Sequence, residues 1–212
     1  MERVLILGNR SLAEEVWDLL SEMPGFEMTA FVENQDPARC RETLEGLPIL
    51  WIDDIAPYAG THKAVCALGT THRSRFTDQA AALGVQFTTV IHPTARISTH
   101  SSIGEGTIIS AGVIVATRTE IGRHVFINRG ALFGHHTQIG DYVSIMPGAN
   151  IAGKCRIGEA TYVGIGAIVI DGITIGAHSV VGAGAVVTND VPDNVQVVGV
   201  PARIVKENIS GK

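Results

Sequence analysis

Residues 103–145 read IGEGTIISAGVIVATRTEIGRHVFINRGALFGHHTQIGDYVSI, and a large apolar side chain returns at every sixth position. Followed outward in both directions, the series is Ile91, Ile97, Ile103, Ile109, Val115, Ile121, Ile127, Phe133, Ile139, Ile145, Ile151, Ile157, Val163, Val169, Ile175, Val181 and Val187, with no break in phase. Four residues after these positions come small or β-branched side chains: Ala95, Ser101, Thr107, Val113, Thr119, Val125, Ala131, Thr137, Val143 and Ala149. Glycine follows the apolar residue directly at 104, 122, 134, 140, 158, 164, 176 and 182. A period of six is neither 3.6 nor 2, so neither an amphipathic helix nor an alternating strand produces it. It is the spacing of a hexapeptide β-helix. Each hexad is expected to be one short strand and a corner, with the aliphatic and the small residue both inward and the glycine relieving the bend. Equivalent positions then stack at the ordinary interstrand distance of about 4.7–4.9 Å.

Composition agrees with a narrow prism. Glycine is 24 of 212 residues and aromatics are only 5%, so the core must come from small and branched aliphatics. At 45% hydrophobic and 17% charged, the chain has enough apolar material to fold. The net charge of −5 and the lack of a basic run argue against nucleic acid or a membrane surface as partner. No apolar run approaches 18 residues, and the start, MERVLILGNRS, turns polar too soon for a signal peptide. Three cysteines, Cys40, Cys66 and Cys155, share no metal spacing and suit buried thiols in a reducing cytoplasm.

The first ninety residues follow another rule. Strands are expected at Arg3–Gly8, Phe26–Glu33, Leu47–Ile52, Lys63–Gly69 and Val85–Ile91, with helices at Ser11–Ser21 and Thr71–Leu83. Pro48 weakens the third strand. Strands alternating with helices imply a small parallel sheet of the Rossmann type. The expected division is an α/β unit at 1–90, the hexad prism at 91–192 and a tail at 193–212.

The hexads, together with Gly199-Val200-Pro201-Ala202-Arg203, resemble the hexapeptide-repeat acyltransferases. The order of an α/β unit followed by hexads is similar to the sialic-acid O-acetyltransferase-like and nucleotide-amino-sugar N-acetyltransferase family. That resemblance implies a left-handed parallel β-helix with three hexads per coil, against the general right-handed preference of parallel crossovers. It further implies acetyl-CoA as co-substrate, no metal, and a homotrimer with active sites at subunit interfaces. The acceptor it implies is a nucleotide-linked amino sugar, a 4-amino-4,6-dideoxy sugar of surface-glycan biosynthesis, held by the N-terminal unit.

By the same resemblance His135, in Gly134-His135-His136-Thr137, matches the catalytic histidine. An imidazole suits the task, because it is able to take a proton from an attacking amine at neutral pH. His136 stands where the family has Asp or Glu. It either serves through a ring nitrogen, or yields to a carboxylate from another coil or subunit, or leaves a weaker or inactive base. Asn128 matches an asparagine near the acceptor, and a corner-capping asparagine would look the same. For the acceptor, Gly8, Asn9 and Arg10 lie where the family has a glycine-rich turn. Glu33 ends the second strand, as a ribose-binding acid would, and Gly69, Thr70 and Arg73 form a second candidate phosphate contact. Ordinary turn and cap chemistry accounts for these residues equally well. An NAD site is disfavoured because the full glycine fingerprint is absent. The resemblance assigns Gly153, Ile165 and Ala183 to acetyl-CoA, with Arg203 and Lys206 on its phosphates.

Three other readings compete. An O-acetyltransferase acting on a sialic-acid-type sugar needs the same base. A metal-dependent hydratase on the same prism needs three histidines together, but residues 18 apart from His135 and His136 are Thr117, Gly153, Arg118 and Lys154. A non-catalytic nucleotide-sugar sensor would fit the altered His136 and the depleted glycine turn.

Overall fold

The computed structural model describes residues 1–212. The chain divides into two compact units, one of 1–69 with 73–90 and one of 70–72 with 91–212.

In the first unit, β1 (Glu2–Leu7), β2 (Phe26–Glu33), β4 (Leu47–Trp51), β5 (Lys63–Cys66) and β6 (Gln86–Phe87) are parallel, and β3 (Thr43–Leu44) is an antiparallel edge strand. The sheet order is β3-β4-β2-β1-β5-β6, so the chain reverses its direction of travel at β1. Pro48 is tolerated because it faces only β3, opposite Thr43, while the pairing of β4 with β2 begins at Ile49. Helices α1 (Ser11–Ser21) and α2 (Ser74–Ala82) complete the unit, α1 burying Ala13, Val16 and Leu20.

Three expected elements change by more than one residue. Strand β5 ends at Cys66 rather than Gly69. Helix α2 starts at Ser74 rather than Thr71, because the Thr71 N–H and hydroxyl are engaged by the Lys212 carbonyl instead of opening a helix. The last expected strand splits into β6 and a separate Val90–Ile91, which opens the first coil of the prism.

The second unit is a parallel β-helix. Its rungs pair residue i with i+18, as in Ile109↔Ile127, Phe133↔Ile151 and Ile139↔Ile157, so three hexads make one coil. Two-residue strands stack into three sheets, and the side chains of the six-residue series fill the axis, nearly all of them buried. Threonines among the small inward residues are satisfied within the stack. The hydroxyls of Thr107, Thr119 and Thr161 donate to the carbonyls of Gly122, Gly134 and Gly176 on the following coil at 2.7–3.0 Å. The repeats and the parallel sheets fit a left-handed β-helix.

The role expected for the glycines after the apolar residues is corrected. Those glycines do not have the left-handed φ; the corners turn two residues later, at positions such as Gly112, Gly130, Arg118 and His136, with φ of 57–68°. What glycine provides after the apolar residue is close approach: a Cβ at Gly104 would lie 2.5 Å from the Gly122 carbonyl carbon. Beyond Val187 the six-residue phase fails, but the ladder does not. A coil shorter by two residues brings Val191 to Ile175 and Val197 to Val181, and the Asp190 and Asp193 carboxylates accept the N–H groups of Thr174 and Ala177. The strand Gln196–Val198 therefore continues the prism past residue 192, and Arg203–Lys206 returns antiparallel to it.

Candidate active site

Residues 134–137 turn one corner of the prism between the strands Leu132–Phe133 and Gln138–Ile139. Phe133 and Thr137 point inward and are buried, which throws His135 and His136 outward into solvent. His136 takes the left-handed conformation of the corner, φ 58°. The two Nδ1 atoms are 3.0 Å apart, with the ring planes at 89°. The next coil brings Gly153 beneath the pair, and a Cβ there would stand 3.0 Å from both Cε1 and Nε2 of His135. His136 also lines a shallow hollow with His100, Arg118, Glu120 and Gln138. No group of three or more histidine, cysteine or acidic side chains in the chain is placed to hold a metal ion.

Of the residues expected to meet acetyl-CoA, the structure brings three together. Ile165, Ala183 and Lys206 line a groove of about 680 Å³ on the late coils, in the size range of small-molecule sites. Gly153 lies under His135 instead, and Arg203 is exposed, donating to the carbonyl of Ala202. Sequence reasoning missed two parts of the groove, Tyr162 and the segment Asn208–Lys212. Lys212 is held there by hydrogen bonds from Thr70 and Thr71 and lies over the Tyr162 ring at 4.1 Å. Nothing in the six-residue period marks that tail, because it lies outside the repeat.

In the first unit, Gly8, Asn9 and Glu33 meet where the strand order reverses. Gly8 has φ 113° and sits tightly against β5, so a Cβ would stand 3.0 Å from the Ala67 carbonyl oxygen. Glu33 is not an open ribose ligand. One carboxylate oxygen accepts the N–H groups of Asn34 and Gln35 at 2.7 Å, and the other accepts the Asn9 amide at 2.9 Å. Burial opposes the charged form, but these bonds outweigh it and hold the Glu33 carboxyl below the usual range. Arg39, unremarked in the sequence, donates to the Asn9 carbonyl at 3.3 Å and so joins the same turn. Arg10 is exposed at the start of α1, whereas Arg73 is buried, 1% exposed. Gly69 and Thr70 lie past the end of β5, and the Thr70 hydroxyl is directed to the Lys212 carbonyl. Asn128 is buried in a prism corner, its Oδ1 accepting from the Arg129 backbone at 2.7 Å, and it is not brought to His135 by any hydrogen bond.

The prism is thus a hexapeptide β-helix that carries a polar histidine pair at an outward corner. The bacterial transferase hexapeptide (six repeats) family matches residues 118–153 and 154–189. A search of curated proteins gives no match. Among solved structures, the chain is similar to perosamine N-acetyltransferase from Caulobacter crescentus, a histidine-to-asparagine mutant in complex with CoA and GDP-perosamine. The two are 33% identical over 98% of each chain, with a TM-score of 0.89. WeeI from Acinetobacter baumannii AYE is 29% identical over 97% of this chain and 100% of its own, TM-score 0.88. The acetyltransferase domain of PglB from Neisseria gonorrhoeae, in complex with acetyl coenzyme A, is 28% identical over 96% and 99%, TM-score 0.87. The chain belongs to the nucleotide-amino-sugar N-acetyltransferase family of hexapeptide-repeat proteins.

Proposed function

We propose that this protein transfers the acetyl group of acetyl-CoA to the amino group of a nucleotide-linked amino sugar, with His135 as the base. The observation that carries the reading is the full-length similarity to an N-acetyltransferase in complex with CoA and GDP-perosamine. The outward histidine pair supports it. The acceptor we favour is a 4-amino-4,6-dideoxy sugar destined for a surface glycan. Its amine attacks the thioester carbonyl as His135 takes the amine proton, and CoA leaves as the thiol. Backbone N–H groups of the prism would stabilise the tetrahedral oxyanion. No covalent acyl-enzyme is required. Burial pushes the Cys66 thiol up to about 12 and also raises Cys155, which makes neither a ready nucleophile.

Further roles follow the same reading. We assign 1–90 to a Rossmann-like nucleotide-sugar domain, supported by a parallel sheet whose order reverses at β1. In it Gly8, Asn9 and Arg10 form the acceptor turn, and Glu33 and Arg39 act by shaping it. The left-handed prism from residue 91, continued through Gln196–Val198, and the tail beyond it carry acetyl-CoA in the groove of Ile165, Ala183 and Lys206. We assign the assembly to a cytoplasmic homotrimer. Exposed Ile114, Leu132 and Ile168 on one sheet face, with Asn150 between the last two, support the trimer, and unpaired cysteines agree with a reducing compartment. No helix is long and apolar enough to cross a membrane.

The test is release of free thiol from acetyl-CoA with a panel of nucleotide-linked amino sugars, for the wild type and for His135→Ala. One acceptor should drive release, and His135→Ala should lower kcat by about 10²-fold or more while both ligands still bind. Release with hydroxyl acceptors alone would move the assignment to O-acetylation. Failure to bind CoA would overturn the enzyme reading.

A further inference from the structure

We propose that His136 is a positioning residue that accepts, as a neutral imidazole, the Nδ1–H of His135, and so fixes the one tautomer in which His135 is a base. The inference rests on His135 being the base of the proposed reaction. Its ground is the contact of like atoms, Nδ1 to Nδ1 at 3.0 Å. Two lone pairs do not face each other at hydrogen-bond distance, and neither do two N–H groups, so one ring carries the proton and the other accepts it.

The two directions have opposite consequences. If His136 donated, a neutral His135 would hold its remaining proton on Nε2 and have no lone pair left for a substrate amine. If His135 donates, its Nε2 lone pair is free, and His136 keeps its own proton on Nε2. Only the second arrangement is catalytically competent.

Gly153 completes the setting. The His135 ring lies over Gly153 on the next coil: a Cβ there would stand 3.0 Å from Cε1 and Nε2 and 3.3 Å from Nδ1, so a larger residue would push the ring aside. Gly153 leaves the ring room to lie there, and His136 fixes which nitrogen carries the proton. During transfer, the bond from the amine nitrogen to the acetyl carbon forms and the carbon–sulfur bond breaks. The amine proton moves to His135 Nε2, while the Nδ1–H remains bonded toward His136. The proton on His135 then leaves with the CoA thiol, and the pair returns to its starting state. A carboxylate at position 136 would accept the same Nδ1–H, so an imidazole replaces it in geometry and not in charge.

The test separates acceptors from donors at position 136. Purified wild-type protein, His136→Gln, His136→Ala and His136→Lys are compared for kcat and for the KM of both substrates. Gln, whose amide oxygen accepts, should retain kcat within about tenfold, whereas Ala and Lys should each lose about 10²-fold, with KM little changed. In parallel, ¹⁵N NMR of the ring nitrogens should show His135 protonated at Nδ1 and unprotonated at Nε2, a readout independent of turnover. A Gln variant as impaired as Ala, a Lys variant as active as Gln, or a His135 ring protonated at Nε2 would overturn the inference. Wild-type protein that acetylates no amino sugar would overturn the proposed function instead, and the tautomer would still be read from the NMR spectrum.

Discussion

Gly153 and His136 are the residues at which fold and chemistry meet most closely. An alanine at 153 meets no φ penalty, since Gly153 is not in the left-handed region, but its Cβ would press on the His135 ring at 3.0 Å. Gly153→Ala should therefore lower kcat by about tenfold while leaving the KM for acetyl-CoA nearly unchanged. A rise in that KM with kcat intact would return Gly153 to the acetyl-CoA groove. His136 holds φ 58°, a conformation costing a non-glycine residue roughly 1–2 kcal/mol. His136→Gly removes that strain at an unfolded-state entropy cost of about 0.4–1 kcal/mol. Its Tm should stay level or rise while kcat falls, and thermal melts beside turnover assays check it. A residue kept for stability alone would show the reverse.

At the scale of elements, the turn after β1 depends on an ionised Glu33. Its carboxylate accepts from Asn9, Asn34 and Gln35, and these bonds hold it below the ordinary carboxyl range despite burial. The sign follows from linkage. With the folded value below the unfolded one of about 4.3, the stabilisation is fully present above that pH. It is lost as pH falls through the lowered folded value. Glu33→Gln should cost about 1–3 kcal/mol near pH 7 and flatten the loss of stability in acid, measured by urea unfolding between pH 7 and 3. A variant with the wild-type pH slope would contradict the assignment.

The whole molecule presents an apolar line that a solvated β-helix face does not need. Ile114 pairs with Leu132, Ile168 follows in the same sheet beyond Asn150, and the three are 43%, 37% and 44% exposed. Burial against other subunits in a trimer would recover roughly 25 cal/mol per Å² of that surface. Sedimentation should give three times the 22.4 kDa chain mass, and Leu132→Asp should shift the protein toward monomer. Wild-type sedimentation at the monomer mass would contradict the trimer. Activity should fall with the monomer if the sites lie between subunits.

The sequence by itself determined the prism, because each hexad contributes one large inward apolar residue to a repeating coil and the pattern recurs seventeen times from Ile91 to Val187. It also determined the alternating strands and helices of the first unit, with ends misplaced by a few residues where backbone groups found partners elsewhere. The histidine pair was legible through the family motif, but the contact between the two Nδ1 atoms was not. That contact depends on the rotamers of two adjacent outward side chains, which no local period encodes. The tail in the groove, the saturation of Glu33, the burial of Arg73 and the glycine floor beneath His135 were likewise decided only by the tertiary structure. Each joins residues whose separation in sequence follows no local period, except Gly153. There the coil length of 18 placed the glycine beside His135 in the column, and only the packing of the ring showed what the missing Cβ is for.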